Sequence, residues 1–209
     1  QSVLGNFSIA NFTLDYWIGR DIRGWDGVLV DSRILRASIN TLVLGLSVGL
    51  ISVALGFALG YAIAKGRGTR LSKVIEQLSF LPYVIPGVAF GAIYLTLWSS
   101  PRGPIPSLYG TMALLILAAV VMRMPFAARS GTSAMFQVGK ELEEAGRMHG
   151  ATWFTLARRI LLPLTKHGLF VAFVLTFIGA AKDLSLVIML ATPMTEVLSV
   201  IAIGFNELA

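Results

Sequence analysis

No cysteine occurs in the chain, which excludes disulfides and thiolate metal centres and leaves the redox compartment unread. Charge is scarce as well. Only 13% of the 209 residues are Asp, Glu, Lys or Arg, against 56% hydrophobic, and the mean hydropathy is +0.76. A soluble domain of this length cannot hide so much apolar surface, so the composition excludes one. Acidic residues are the rarer sign, 11 against 17 basic, for a net charge of +6. That excess does not call for nucleic acid as a partner, because the basic residues gather in short loops beside hydrophobic runs, the distribution that membrane topology imposes by itself. No G-x-x-x-x-G-K-S/T phosphate loop is present, so the chain is not expected to bind ATP by that route. Histidine is limited to His149 and His167, with no H-E-x-x-H, no G-x-S-x-G and no paired intramembrane carboxylates. An intramembrane enzyme is therefore poorly supported, and no catalytic residue, metal site or cofactor is expected.

What is present reads as an all-α, polytopic transmembrane helical bundle of about five spans, the last of them truncated. Residues 1–36 mix aromatics with four acidic and four basic residues whose charges cancel, as expected of an extracytoplasmic, interfacial segment in contact with membrane lipid. Ala37 to Ala64 carries no charge and, at roughly 1.5 Å per residue, is long enough to cross a bilayer. Gly45, Gly49, Ser52, Gly56 and Gly60 recur along it at intervals of three and four, a small-residue stripe that admits a close neighbour helix. Lys65, Arg67, Arg70 and Lys73 then mark a cytoplasmic turn, which sets the first 36 residues outside. The second span, Gln77 to Trp98, contains Pro82 and Pro86, which remove backbone donors and interrupt the helix. Such breaks are tolerated against protein or a water-filled cavity, so they indicate either a translocation path or a packing kink. Ser99 to Leu108 reads as an outer loop, Tyr109 to Met122 as the third span, and Arg123 to Lys166, with seven basic and three acidic residues, as cytoplasmic. The fourth span starts at His167 and runs to Lys182 and Asp183. These opposite charges must meet each other, a partner helix or water if they lie in the membrane, as candidates for the path, or else they snorkel at the outer interface. Ala191 to Glu196 forms an outer turn, and the apolar Val197 to Phe205 is too short to span. The expectation is a piece of a longer polypeptide.

The stretch around which the rest is arranged is Glu141 to Leu164, ELEEAGRMHGATWFTLARRILLPL. Leu142, Ala145 and Met148 share one helical face, and Gly150 breaks the run. Trp153, Leu156 and Ile160 define a second short helix, Thr152 to Leu162, and Pro163 is expected to stop it continuing unbent. Helices this short persist only when docked on something else. Glu144-Ala145-Gly146, three residues, Gly150, nine residues, then Ile160-Leu161-Leu162-Pro163 resembles the cytoplasmic E-A-A loop of the permease subunits of binding-protein-dependent ABC importers. Gly146 stands where that family usually has a second alanine, which should loosen the helix slightly.

The resemblance covers residues 37–209 and implies one transmembrane permease domain of the bacterial inner membrane. It implies that two such domains, fused or separate, pair around a path, that ATPase subunits bind below, and that an extracytoplasmic substrate-binding protein docks outside. Carried onto this sequence, Glu144, Ala145, Gly146, Arg147, Gly150, Ile160 and Pro163 form the element that couples the ATPase to the membrane, and ATP hydrolysis belongs to a partner chain. Phe177 to Ser185 and Thr195 to Val200 are most similar to the ferric-iron branch. The residues taken alone also admit a non-transporting membrane scaffold or an ion-gradient-driven transporter.

Overall fold

The computed structural model describes residues 14–19, 26–101 and 103–207, so most of the interfacial reading for residues 1–36, and Arg102, lie outside the described residues. After one helical turn, α1 (Asp15–Ile18), the Asp31 carboxylate accepts the backbone N–H of Arg33 at 2.7 Å and of Ile34 at 3.4 Å. This cap starts α2 (Ser32–Lys65) five residues before the charge-free run and carries it through 34 residues to Lys65, a cation at the negative end of the helix dipole. Then come α3 (Arg70–Val84), α4 (Gly87–Trp98), α5 (Met112–Phe136), α6 (Lys140–Met148), α7 (Trp153–Leu156), a π-helical turn (Ala157–Leu161), α8 (Leu162–Ala181), α9 (Val187–Leu190) and α10 (Leu198–Glu207). α2, α5 and the continuous Trp153–Ala181 are each long and apolar enough to cross a membrane, and α3 with α4 makes a fourth span bent by 101°. The fifth apolar segment forms the 10-residue α10.

α2 is the hub, and its small-residue stripe is the reason. Gly45, Gly49, Ser52, Gly56 and Gly60 are all buried. The outer two receive aromatic rings of α8: a Cβ on Gly45 would lie 2.8 Å from the Phe177 ring, and one on Gly49 2.7 Å from the Phe173 ring. The inner two meet α5 backbone to backbone, Gly56 against Ala127 and Gly60 against Gly131. The residue order makes α5 parallel to α2 and α8 antiparallel to both. Without water to drive association in a membrane, such close approach supplies the packing. Leu44, Val48, Leu114, Leu115, Ala118, Leu186 and Leu190 belong to the main hydrophobic core.

The ends sort as the charge pattern requires. At one end the guanidinium of Arg67 lies 5.2 Å from the Phe136 ring centroid. At the other, Arg33 pairs with Glu196 at 2.7 Å, Asn40 donates to the Met194 and Glu196 carbonyls, and Gly110 sits beside Thr192. Single cysteines at the exposed positions Arg67 and Met148 should react with an impermeant reagent only after lysis, and one at Ser99 before it. Labelling of position 67 in intact cells would reverse the orientation.

Three sequence expectations need correction. The third span does not end near Met122 but continues as α5 to Phe136, because Arg123 is neutralised inside the bundle and has no need to leave it. The second short helix does not end at Leu162 before Pro163. The Leu162 N–H donates to the Ala157 carbonyl, five residues back. The wider π turn thus absorbs the donor that Pro163 lacks, and the helix runs on. For the same reason the helix that carries the fourth span begins at Trp153, capped by Thr152, well before His167.

Candidate functional site

α6 has acids in its first turn, Glu141 and Glu143, and Arg147 in its last, an arrangement that complements the helix dipole. Its surface is almost wholly exposed. The exception is Glu143, only 5% exposed. Its carboxylate is ion-paired with Lys65, the last residue of α2, and with Arg147 at 2.8 Å, and it accepts the Tyr61 hydroxyl at 2.8 Å. Burial alone would push this carboxyl up. Lys65, the Tyr61 hydroxyl and Arg147 outweigh it and hold the group below the ordinary carboxylate range. The cluster therefore persists above that range and is lost only as pH falls through the lowered value. The Tyr61 ring stands edge-on to Trp153, centroids 5.9 Å apart, so the end of α2 touches both halves of the loop.

The motif residues divide between outside and inside. Glu144 and Ala145 are exposed. Gly146 faces the second half of the loop, where a Cβ would come 2.5 Å from Leu156 Cδ2 and 3.2 Å from Ile160 Cδ1. Both are ends of flexible side chains, so the alanine usual in the resembled family would need only a small shift. Gly150 has φ +75° and open space around it. Its N–H bonds to Arg147 O at 2.9 Å and that of Ala151 to Gly146 O at 3.1 Å, closing the turn. Ile160 is half-buried, and Pro163, Arg158 and Arg159 are exposed. Leu142, Met148, Trp153 and Phe154 leave apolar surface uncovered at this polar end, Met148 at 87% exposure.

A second constellation lies halfway along α5. Arg123 Nη2 donates to Asp183 Oδ2 and to the Gly179 carbonyl, both at 2.6 Å. Asp183 Oδ1 accepts the Leu186 N–H at 3.2 Å, and its backbone carbonyl accepts the Ser199 hydroxyl at 3.2 Å. Arg123 Nε is buried with no partner among the described residues. Asp183 thus finds its counter-charge on a neighbouring helix and not in Lys182, which is exposed and makes no ion pair among the described residues. The break in the second span comes to the same level. Pro82 is buried near the end of α3, Pro86 is exposed and extended (φ −57°, ψ 141°), and Gly87 packs against Ser185 and Met122. The break therefore packs through Gly87 beside Ser185, two residues past Asp183, while Lys182 is exposed outside the pair. Sequence reasoning missed Arg123, although a lone arginine in an apolar run facing a lone aspartate was the available signal.

Comparison with known proteins follows the same lines. The family described as binding-protein-dependent transport system inner membrane component matches residues 52–207. A ferric transport system permease protein of Haemophilus influenzae is 29% identical over 160 residues, covering 76% of this chain and 24% of the relative. A molybdenum ABC transporter permease protein of Haloferax volcanii is 32% identical over 161 residues, covering 76% of this chain and 60% of the relative. The chain thus spans between a quarter and three fifths of these relatives. Among solved structures, a chain of a bacterial ABC transporter involved in the import of the acidic polysaccharide alginate superposes with a TM-score of 0.70 at 18% identity, covering 90% of this chain and 76% of that one.

Proposed function

Because the chain belongs to the family of binding-protein-dependent transport system inner membrane components, we propose that it is the permease domain of an ABC importer in a bacterial inner membrane. In this reading it takes its energy from separate ATPase subunits that seat on the Glu141–Leu164 loop. The observation that carries it is the uncovered apolar surface of Leu142, Met148, Trp153 and Phe154 on a loop otherwise rich in charge. Exposed apolar side chains clustered at a polar end mark a docking surface. Glu144, Ala145 and Arg147 lie on that loop, Gly146 and Ile160 pack its two halves together, Gly150 turns it, and Pro163 joins it to α8. A second permease domain, fused or separate, covers the apolar flanks of the bundle, and a substrate-binding protein docks at the opposite end.

Asp183 and the Pro82–Pro86 break belong to the path, since a charge pair and freed backbone groups both need polar company in an apolar bundle. Lys182, exposed just beyond α8, is assigned to the mouth of that path. Ferric iron is the favoured cargo, on the wording of residues 177–185 and the likeness to a ferric permease. The relative named for molybdenum makes an oxyanion the competing cargo, and uptake of radioactive iron against molybdate separates the two.

Gly150 tests the coupling role. A β-branched residue is strained at φ +75° by about 1–2 kcal/mol. Gly150→Val is therefore expected to release the ATPase subunit or cut uptake per ATP several-fold while the membrane part still inserts. Wild-type co-purification and uptake in that variant would remove the loop from the mechanism.

A further inference from the structure

The pattern that identifies the loop points to Glu144, yet the adjacent Glu143 is the buried one. It is the one residue of α6 that is fully buried. Around it stand Lys65 and Tyr61 from α2 and Arg147 from its own helix, while Trp153 of α7 lies against Tyr61. Lys140 and Glu144 line the same cleft. A carboxylate taken out of water is costly unless its charge and lone pairs are met, and here two cations and a hydroxyl meet them. Such a cluster is poorly suited to catching a mobile partner, since its members are already engaged with one another. It is well suited to holding a short helix, marginal by itself, at one angle to the helix that crosses the membrane.

We infer that Glu143 is the positioning residue that fastens α6 to the inner end of α2, so that displacement of the loop is passed to the membrane-spanning helix instead of being lost in a hinge. The inference rests on the reading of the loop as an ATPase dock and assigns the two neighbouring glutamates opposite duties: Glu144 faces outward and Glu143 inward. Gly146, closing on Leu156 and Ile160, makes a second fastening between the halves of the loop. Together the two contacts let α6, α7 and the end of α2 move as one piece. Packed and ion-paired contacts of this kind can carry coupling from one element to the next.

The test uses the intact transporter with its ATPase subunits in proteoliposomes, with spin labels on cysteines at Glu141 in α6, outside the apolar docking patch, and Leu50 in α2, both exposed in a chain without native cysteine. In the otherwise unaltered protein the interlabel distance should be narrowly distributed and equal in nucleotide-free and ATP-vanadate-trapped states. Glu143→Gln, which keeps shape and loses charge, should broaden it at least twofold and make it nucleotide-dependent, with the ATPase still bound. Glu143→Asp should restore most of the narrow distribution. Tyr61→Phe, which leaves the ion pairs intact, should fall between and serves if Glu143→Gln does not fold. An unchanged distribution in both Glu143→Gln and Tyr61→Phe overturns the inference, as does loss of the ATPase from Glu143→Gln, which would place Glu143 in the docking surface. A parent transporter that never retains the ATPase overturns the reading of the loop itself, while the distance comparison still reports on the joint.

Discussion

Gly131→Val is expected to cost on the order of 3 kcal/mol or more, one of the two largest losses from any single substitution considered. The backbones of α2 and α5 run side by side where Gly56 and Gly60 face Ala127 and Gly131. A Cβ on Gly131 would fall on the Gly56 carbonyl, and one on Gly56 would come 2.5 Å from the Ala127 carbonyl oxygen. These are backbone atoms and cannot swing aside as a side chain would, so the helices must separate and the contact that replaces a hydrophobic driving force in lipid is lost. Thermal unfolding in detergent should show a large drop, with reduced yield of monodisperse protein. Gly204→Ala is the control, since a Cβ there meets nothing within 4 Å and alanine favours the helix. A loss at Gly131 no greater than at Gly204 would show that the α2–α5 crossing is not the tight joint described.

Asp183→Ala should cost a comparable amount, about 3–5 kcal/mol, the range for stripping one partner from a buried ion pair. It leaves the Arg123 guanidinium halfway along α5 with only the Gly179 carbonyl for company. Asp183→Glu should be milder. Removing both charges, as Arg123→Met with Asp183→Asn, should cost less than Asp183→Ala alone, because no orphan charge remains. Lys182→Ala should change stability by less than about 0.5 kcal/mol. Transport should suffer in Asp183→Ala more than ATPase binding does, since the loop lies at the far end of α8. Equal costs at positions 182 and 183 would contradict the pairing.

The parts of this arrangement that were legible in the sequence are those written in local pattern. Five small residues at spacings of three and four announce a close-packed face on α2 whatever its partner, and four basic residues in a turn announce a membrane side. The loop motif is likewise contiguous. What escaped was written at long range. Charge counting treats every arginine as a boundary, so Arg123 shortened the third span, and only its partner sixty residues away explains why it stays inside. Adjacent glutamates look alike until Lys65 and Tyr61 are brought beside one of them. Pro163 reads as the point where a straight helix must end because the rule for proline assumes an α-helical register, and the π turn just upstream changes that register.

The π turn at Ala157–Leu161 carries a consequence for how the two ends of its helix are oriented. Each residue of an α-helix advances about 100° around the axis, and a π turn inserts one residue without the corresponding rise. Were the same residues wound as an ordinary α-helix, everything beyond the turn would be rotated by about 100° relative to Leu156. Leu156 would stay seated on Gly146, while Phe173 and Phe177 would swing off Gly49 and Gly45. The turn is thus a phase adjuster: it reconciles the angle at which the loop half must meet α6 with the angle at which the membrane half must meet α2.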